Sequence, residues 1–286
     1  IAHNVNGWYY VKNGVVDFGF TGVSENSNGI FYCENGKVIF SYTGFGEYNG
    51  KWYYFENSRA ARGKEDIIYN ASNGEWWYIK DGEFQSEAET IAHNVNGWYY
   101  VKDGVVDFGF TGVAQNQNGI FYCEGGRVTF GYNGFGEYNG NLYYFKSSSV
   151  ASDVTGAFYN AANGWIYVEK GVYDPTYIGF ASNGNSTWYF ENGKVAEEKT
   201  GLWLLEGECV YLEKGKIDTS VTGFYEMSDE YYYVKNGRAT DVEDIIYNAE
   251  AGEWWYVNDG KFQSEAETIA HNVNGWYYVK NGVVDF

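Results

Sequence analysis

Apolar and polar positions in this chain alternate in short runs that suit strands, and no stretch keeps the three-and-four spacing of an amphipathic helix. The clearest run is Gly7-Trp8-Tyr9-Tyr10-Val11-Lys12, followed by Asn13-Gly14 and then Val15-Val16-Asp17-Phe18. Asn followed by Gly best tolerates the positive φ that both centres of a type I′ turn require, so the segment predicts a β-hairpin. In that register Lys12 opposes Val15, Val11 opposes Val16 and Tyr10 opposes Asp17.

With Trp8 as the first slot, equivalent positions follow at 30, 52, 76, 98, 120, 142, 165, 187, 209, 231, 254 and 276, spaced 22 to 24 residues apart. A tyrosine stands two residues after every first slot, from Tyr10 to Tyr278. Six residues after it stands Gly, except for Ser58 and Ser148. A fixed period of this length is the mark of a solenoid or array. The expected fold is therefore all-β, a β-solenoid of about thirteen stacked β-hairpin repeats of 22–24 residues. Residues 1–12 recur at 91–102 and residues 1–18 at 269–286, so the chain, 1–286, reads as a single repeat array and an excerpt of a longer repetitive surface protein.

Strand alternation sorts the slots into two faces. The second, fourth and ninth positions, such as Tyr9/Val11/Val16 and Phe31/Cys33/Val38, form the expected core. The first slot and the invariant Tyr fall on the other face beside mostly polar partners, as exposed aromatic rows. Gly19, Gly63, Gly109 and Gly131 are expected opposite the first slot, where a ring can cover a strand glycine. The segments between hairpins, often ending in Thr-Gly, read as linkers. The acidic junctions at 64–66, 88–91, 241–244 and 266–269 are the expected places for a change of twist.

Composition narrows the function. A net charge of −19 excludes a general nucleic-acid binder, which needs cations against phosphate. No apolar run is long enough to span a bilayer. The acidity raises calcium as a ligand, yet no dense Asp/Asn loop of a calcium site is present. Cys33 and Cys123 share a slot four hairpins apart and Cys209 occupies another, so all three are expected unpaired. His3, His93 and His271 are one repeat position and read as exposed linker residues without a shared metal. With no asymmetric nucleophile, acid–base pair or zinc spacing, neither catalytic residues nor cofactors are assigned, and the chain does not read as an enzyme.

The pattern Gly7-Trp8-Tyr9-Tyr10-Val11 … Gly14 … Thr21-Gly22 resembles the cell-wall-binding repeats of Gram-positive surface proteins. That superfamily includes choline-binding modules, glucan-binding repeats of glucosyltransferases and the repetitive C-terminal region of large clostridial toxins. The resemblance covers the whole chain and implies stacked hairpins, an extracellular place at the cell surface or in secretion, and no catalysis. In choline-binding members it implies a cage of the first-slot Trp, the Tyr two residues on and a Trp after the next Thr-Gly, held to the ligand by cation–π attraction. Here none of the residues after those glycines is Trp. Only Trp165, Tyr167 and Phe180 offer three rings; Trp8 with Tyr10 and Trp98 with Tyr100 offer two.

A first slot of Ile30, Ile120 or Cys209 goes with Phe45, Phe135 or Phe224, and Trp8 or Trp98 with Val23 or Val113, which reads as packing at constant volume. Two functions of different class follow. One is a non-catalytic module for adhesion to a cell-wall polymer or glycan, and the other a structural stalk or spacer without a small ligand. Receptor binding by a toxin-like repeat region, with a host surface receptor as partner, differs from the first only in its partner.

Overall fold

The computed structural model of the chain describes residues 1–239, 241 and 243–286. Of the acidic junction at 241–244, Val242 lies outside the described residues. Two compact units, Ile1–Ala151 and Ser152–Phe286, are each built of antiparallel strands, and no helix occurs among the described residues.

A typical copy has three strands: an entry strand such as Gly22–Asn26, a central strand Gly29–Glu34 and a two-residue return strand Lys37–Val38. The predicted hairpin is there in the predicted register, with Val11 opposite Val16 and Lys12 opposite Val15. Asn13 and Gly14 have φ of 50° and 80°, as a type I′ turn needs. The longer pairing, however, is with the entry strand, from Gly22↔Cys33 to Asn26↔Gly29. The presumed linkers are therefore strands, each closed by a second turn such as Ser27-Asn28. The return strand is too short to reach the first slot. Gly19, Gly63 and Gly109 lie in turns beyond it and Gly131 in an irregular stretch, so no ring covers them.

Return strands join neighbouring copies. In the first unit Tyr9 pairs with Lys37, Phe31 with Arg59, Tyr53 with Glu83 and Trp77 with Val105. In the second, Ile166 pairs with Lys194, Trp188 with Lys216, Val210 with Arg238 and Tyr232 with Lys261. Except at Ser58 and Ser148, the glycine six residues after the first slot completes these joins. Gly36 accepts the Tyr10 amide at 2.9 Å and donates its own N–H to Phe20 O at 2.6 Å; Gly215 does the same for Tyr189 and Lys199. Its φ of 74° and the backbone it meets explain the glycine, since a β-carbon on Gly36 would stand 2.3 Å from Asp17 O.

The two serines in this slot have a local cause. Before them, the loops at 39–42 and 129–132 follow a different path from the turn that other copies, such as that at Phe18-Gly19, make there. There the chain turns through Phe40 and Phe130 at φ of 54° and 56°. Ser58 and Ser148 fit against that altered loop. Ser148 Oγ accepts the Tyr132 amide at 3.1 Å, while its own N–H donates to Tyr132 O at 2.7 Å.

The fourth position is fully buried from Cys33 to Val279, leaving only Val11 of the first copy half-exposed, so the expected core face is real. Burying one such aliphatic side chain contributes about 1.5–3 kcal/mol. The other face is not the exposed row expected of it. Tyr78, Tyr100, Tyr167, Tyr189 and Tyr256 are buried too. The residue ten positions on covers the tyrosine ring: Phe110 stacks on Tyr100 at 3.8 Å, Tyr132 on Tyr122 at 3.6 Å and Tyr177 on Tyr167 at 3.5 Å. The invariant tyrosine is thus a packing element whose amide and ring both serve the next turn of chain.

Entry strands are tied by an asparagine at their end. Asn94, Asn116 and Asn272 each donate Nδ2 to the carbonyl of Ile67, Ile91 or Ile245 in the copy before. For Asn70 the equivalent carbonyl, Phe45 O, already accepts the Tyr42 hydroxyl at 2.6 Å, and its buried Nδ2 has no hydrogen-bond partner.

Candidate functional site

Because the entry strand pairs with its own central strand, the residue after the glycine sits near the first slot of the same copy. The join to the next copy then brings up that copy's second-position side chain as a third wall. In the copy of Trp52 these are Phe45, Trp52 and Trp77, with Trp77 4.9 Å from Phe45 and 5.6 Å from Trp52. In the copy of Tyr231 they are Phe224, Tyr231 and Trp255, at 4.9 and 5.1 Å from Trp255. Rings this close, edge to face, fill the space themselves.

The space opens at two copies whose entry-strand residue is Ile. Ile91, Trp98, Phe121, Val128 and Phe130 line an apolar cavity of about 220 Å³, rimmed by Asn116 and Asn118. In the second unit Ile245, Trp254, Tyr277, Val284 and Phe286 line one of about 200 Å³ at the same position of the repeat. Each offers three aromatic side chains and no charged one. Trp98 is braced from behind by the His93 ring, stacked at 4.7 Å, and Trp254 by Tyr247 at 5.3 Å. Asn116 Nδ2 is committed to Ile91 O at 3.0 Å, which fixes the rim. Phe130 holds its place through a left-handed backbone and is 55% exposed, an uncommon combination for a bulky ring.

A small pocket walled by three π faces attracts a soft cation such as a quaternary ammonium, and the net charge of −19 adds a long-range pull of the same sign. Among the described residues no three His, Cys, Asp or Glu side chains form a metal-binding group. Cys33, Cys123 and Cys209 are unpaired and buried. Burial pushes the thiols of Cys123 and Cys209 up to about 11. The Tyr78 and Tyr100 hydroxyls are raised by burial and by donating to Glu65 and Glu89, each at 2.6 Å.

The side chains singled out from the sequence are spread over this scheme. Trp98 is a wall of the first cavity, while Tyr100 lies under Phe110. Trp8 lies tilted against His3 at 4.6 Å, and Tyr10 stacks with Phe20 at 3.7 Å. Trp165 and Tyr167 share one cluster, Trp165 stacked on Trp188 at 4.4 Å. Phe180 packs in the next cluster, 5.1 Å from Tyr189. Sequence reasoning missed Phe121, Phe130, Tyr277 and Phe286. The signal was available in the entry strand's own alternation, which sets the phase in which rings meet. The three histidines are on strands and not in linkers, His93 and His271 stacked on first-slot tryptophans and His3 tilted against Trp8.

No curated protein matches the chain. Among solved structures, CbpJ of Streptococcus pneumoniae TIGR4 is 20% identical over 91% of this chain and 100% of its own, with a TM-score of 0.33. Choline binding protein F of Streptococcus pneumoniae, solved with a peptidoglycan analogue, is 18% identical over 93% and 99%, with a TM-score of 0.34. Alternansucrase in complex with isomaltononaose is 17% identical over 89% of this chain but 20% of its own length, with a TM-score of 0.33. These values are too low to carry a ligand or a geometry across. The choline-binding repeat model, by contrast, matches eleven segments, 1–17, 19–39, 41–59, 68–82, 89–107, 109–129, 153–174, 176–196, 220–240, 246–262 and 267–285, so the chain belongs to the choline-binding repeat family.

Proposed function

We propose that this chain is a non-catalytic, extracellular attachment module whose aromatic cavities at Trp98 and Trp254 hold quaternary ammonium groups displayed on a cell-wall polymer or glycan. The observation that carries this reading is the pair of open three-ring cavities at one position of the repeat, one in each unit. Several such sites on one chain raise avidity for a polymer that carries many copies of the group. The copies are read as turns of one β-solenoid, with attachment at a bacterial surface as its setting. Choline titration followed by tryptophan fluorescence tests it. Saturable binding that weakens with Trp98→Ala and again with Trp254→Ala supports the reading, and an unchanged isotherm in the double variant refutes it.

The spacer reading keeps one specific support. At Phe45/Trp52/Trp77 and Phe224/Tyr231/Trp255 the rings close on one another, so those junctions act as packed joints. A chain that binds no choline at any cavity would be a spacer throughout.

A further inference from the structure

Two junctions of the second unit depart from the aromatic scheme in the same way. Their first slots are Thr187 and Cys209, where every other copy carries a larger side chain, Trp, Tyr, Ile or Leu. At these two small side chains a cleft of about 520 Å³ lies beside Thr187 and one of about 670 Å³ beside Cys209. Both are of the size of small-molecule sites. They meet at Arg238, which lines each of them.

The lining decides what would bind. Lys216 and Arg238 face Glu213 and Asp218 in the first cleft; Arg238 and Lys261 face Glu208, Asp241 and Asp259 in the second. Two of these three cations are already engaged, Arg238 with Glu208 and Lys261 with Glu230, and the carboxylates of the two linings outnumber the cations. An anionic ligand would therefore meet a neutral-to-negative groove on a chain of net charge −19. A quaternary ammonium would find no ring cage, since Thr187 and Cys209 replace the first wall. What remains matched is a neutral ligand rich in hydroxyls, able both to donate to carboxylates and to accept from guanidinium, ammonium and carboxamide groups. The Tyr232 ring in the second cleft supplies an apolar face of the kind a pyranose packs on.

We infer that the two clefts joined at Arg238 form a binding groove for a neutral oligosaccharide, separate from the aromatic cavities. The groove and the cavities divide the work, one reading the sugar chain and the other a charged substituent. The groove does not depend on the quaternary-ammonium reading.

The test is calorimetric titration of the full chain with two uncharged probes, isomaltotetraose and tetra-N-acetylchitotetraose, with and without saturating choline. The expected result is saturable binding of one or both that choline leaves in place. Thr187→Trp, which rebuilds the missing wall, should weaken it about tenfold or more, and Arg238→Ala should do likewise with an unchanged β-type circular dichroism spectrum. Trp98→Ala should bind either probe normally while losing choline affinity, so the two sites fail separately. Absence of binding by both probes, displacement by choline, or full affinity in Thr187→Trp would overturn the inference.

Discussion

Gly126 and Asp107 meet backbone to backbone: a β-carbon on Gly126 would stand 2.3 Å from the Asp107 carbonyl oxygen. Gly125, its neighbour, also has positive φ, yet the nearest atom to a β-carbon there is 3.8 Å away. The pair separates steric contact from backbone preference. Gly126→Ala should destabilise the fold by at least about 2 kcal/mol, the cost of strain plus a clash that only backbone movement relieves. Gly125→Asn, which restores the residue other copies carry, should be neutral or raise stability by about 0.5 kcal/mol. Urea unfolding of the two variants checks both, and equal losses would show that φ alone matters.

Ser148 tests the exception. Its Oγ is the acceptor for the Tyr132 amide, so Ser148→Ala leaves a partly buried N–H unsatisfied and should cost about 1–3 kcal/mol. Restoring the consensus glycine should not recover that loss, because the loop through Phe130 is already turned away from the form that glycine fits. A Ser148→Gly chain as stable as the parent would contradict this account.

Much of the fold was legible because its cause is local. Asn-Gly pairs set the turn, the period of two set the core face, and the universally apolar fourth position named residues that are buried. What was not legible depends on contacts between copies. Phe110 lies on Tyr100 only because the return strand is short and the chain doubles back, which no spacing rule announces. The entry strands were hidden because segments such as Gly22-Val23-Ser24-Glu25-Asn26 are polar and weakly alternating. Without the entry strands the phase of the site shifts by one copy: the sequence pattern groups Phe180 with Trp165, whereas Trp188 is the ring that meets Trp165.

The buried thiols predict an alkaline limit. The folded chain holds Cys123 and Cys209 protonated up to about 11, while in the unfolded chain a thiol ionises near about 8.5. Stability from this source is therefore whole below the unfolded value and is lost as pH rises through the folded one. The raised Tyr78 and Tyr100 hydroxyls add loss in the same direction at higher pH. Melting temperatures should hold steady below pH 8 and fall between about pH 9 and 11. Replacing Cys123 and Cys209 by Val should flatten the first part of that fall. A slope unchanged by the replacement would assign the alkaline loss to the tyrosines.

The closed junctions say how to shut an open one. Phe45 lies against Trp77 where Ile91 leaves a cavity beside Trp98 and Phe121. The copies differ at this wall by one side chain on an otherwise shared backbone register, Phe45↔Tyr54 in one and Ile91↔Tyr100 in the other. Ile91→Phe should therefore fill the cavity of about 220 Å³ with its own ring and abolish choline binding there. Stability should hold or rise, since apolar surface is buried without a new polar group. The reverse change, Phe45→Ile, should open a pocket between Trp52 and Trp77 and add a choline site, at a cost of about 1–3 kcal/mol for the space created. Counting sites by calorimetry in the parent and both variants gives the answer: one fewer with Ile91→Phe and one more with Phe45→Ile. An unchanged count in both would place the ligand elsewhere than these ring-walled junctions.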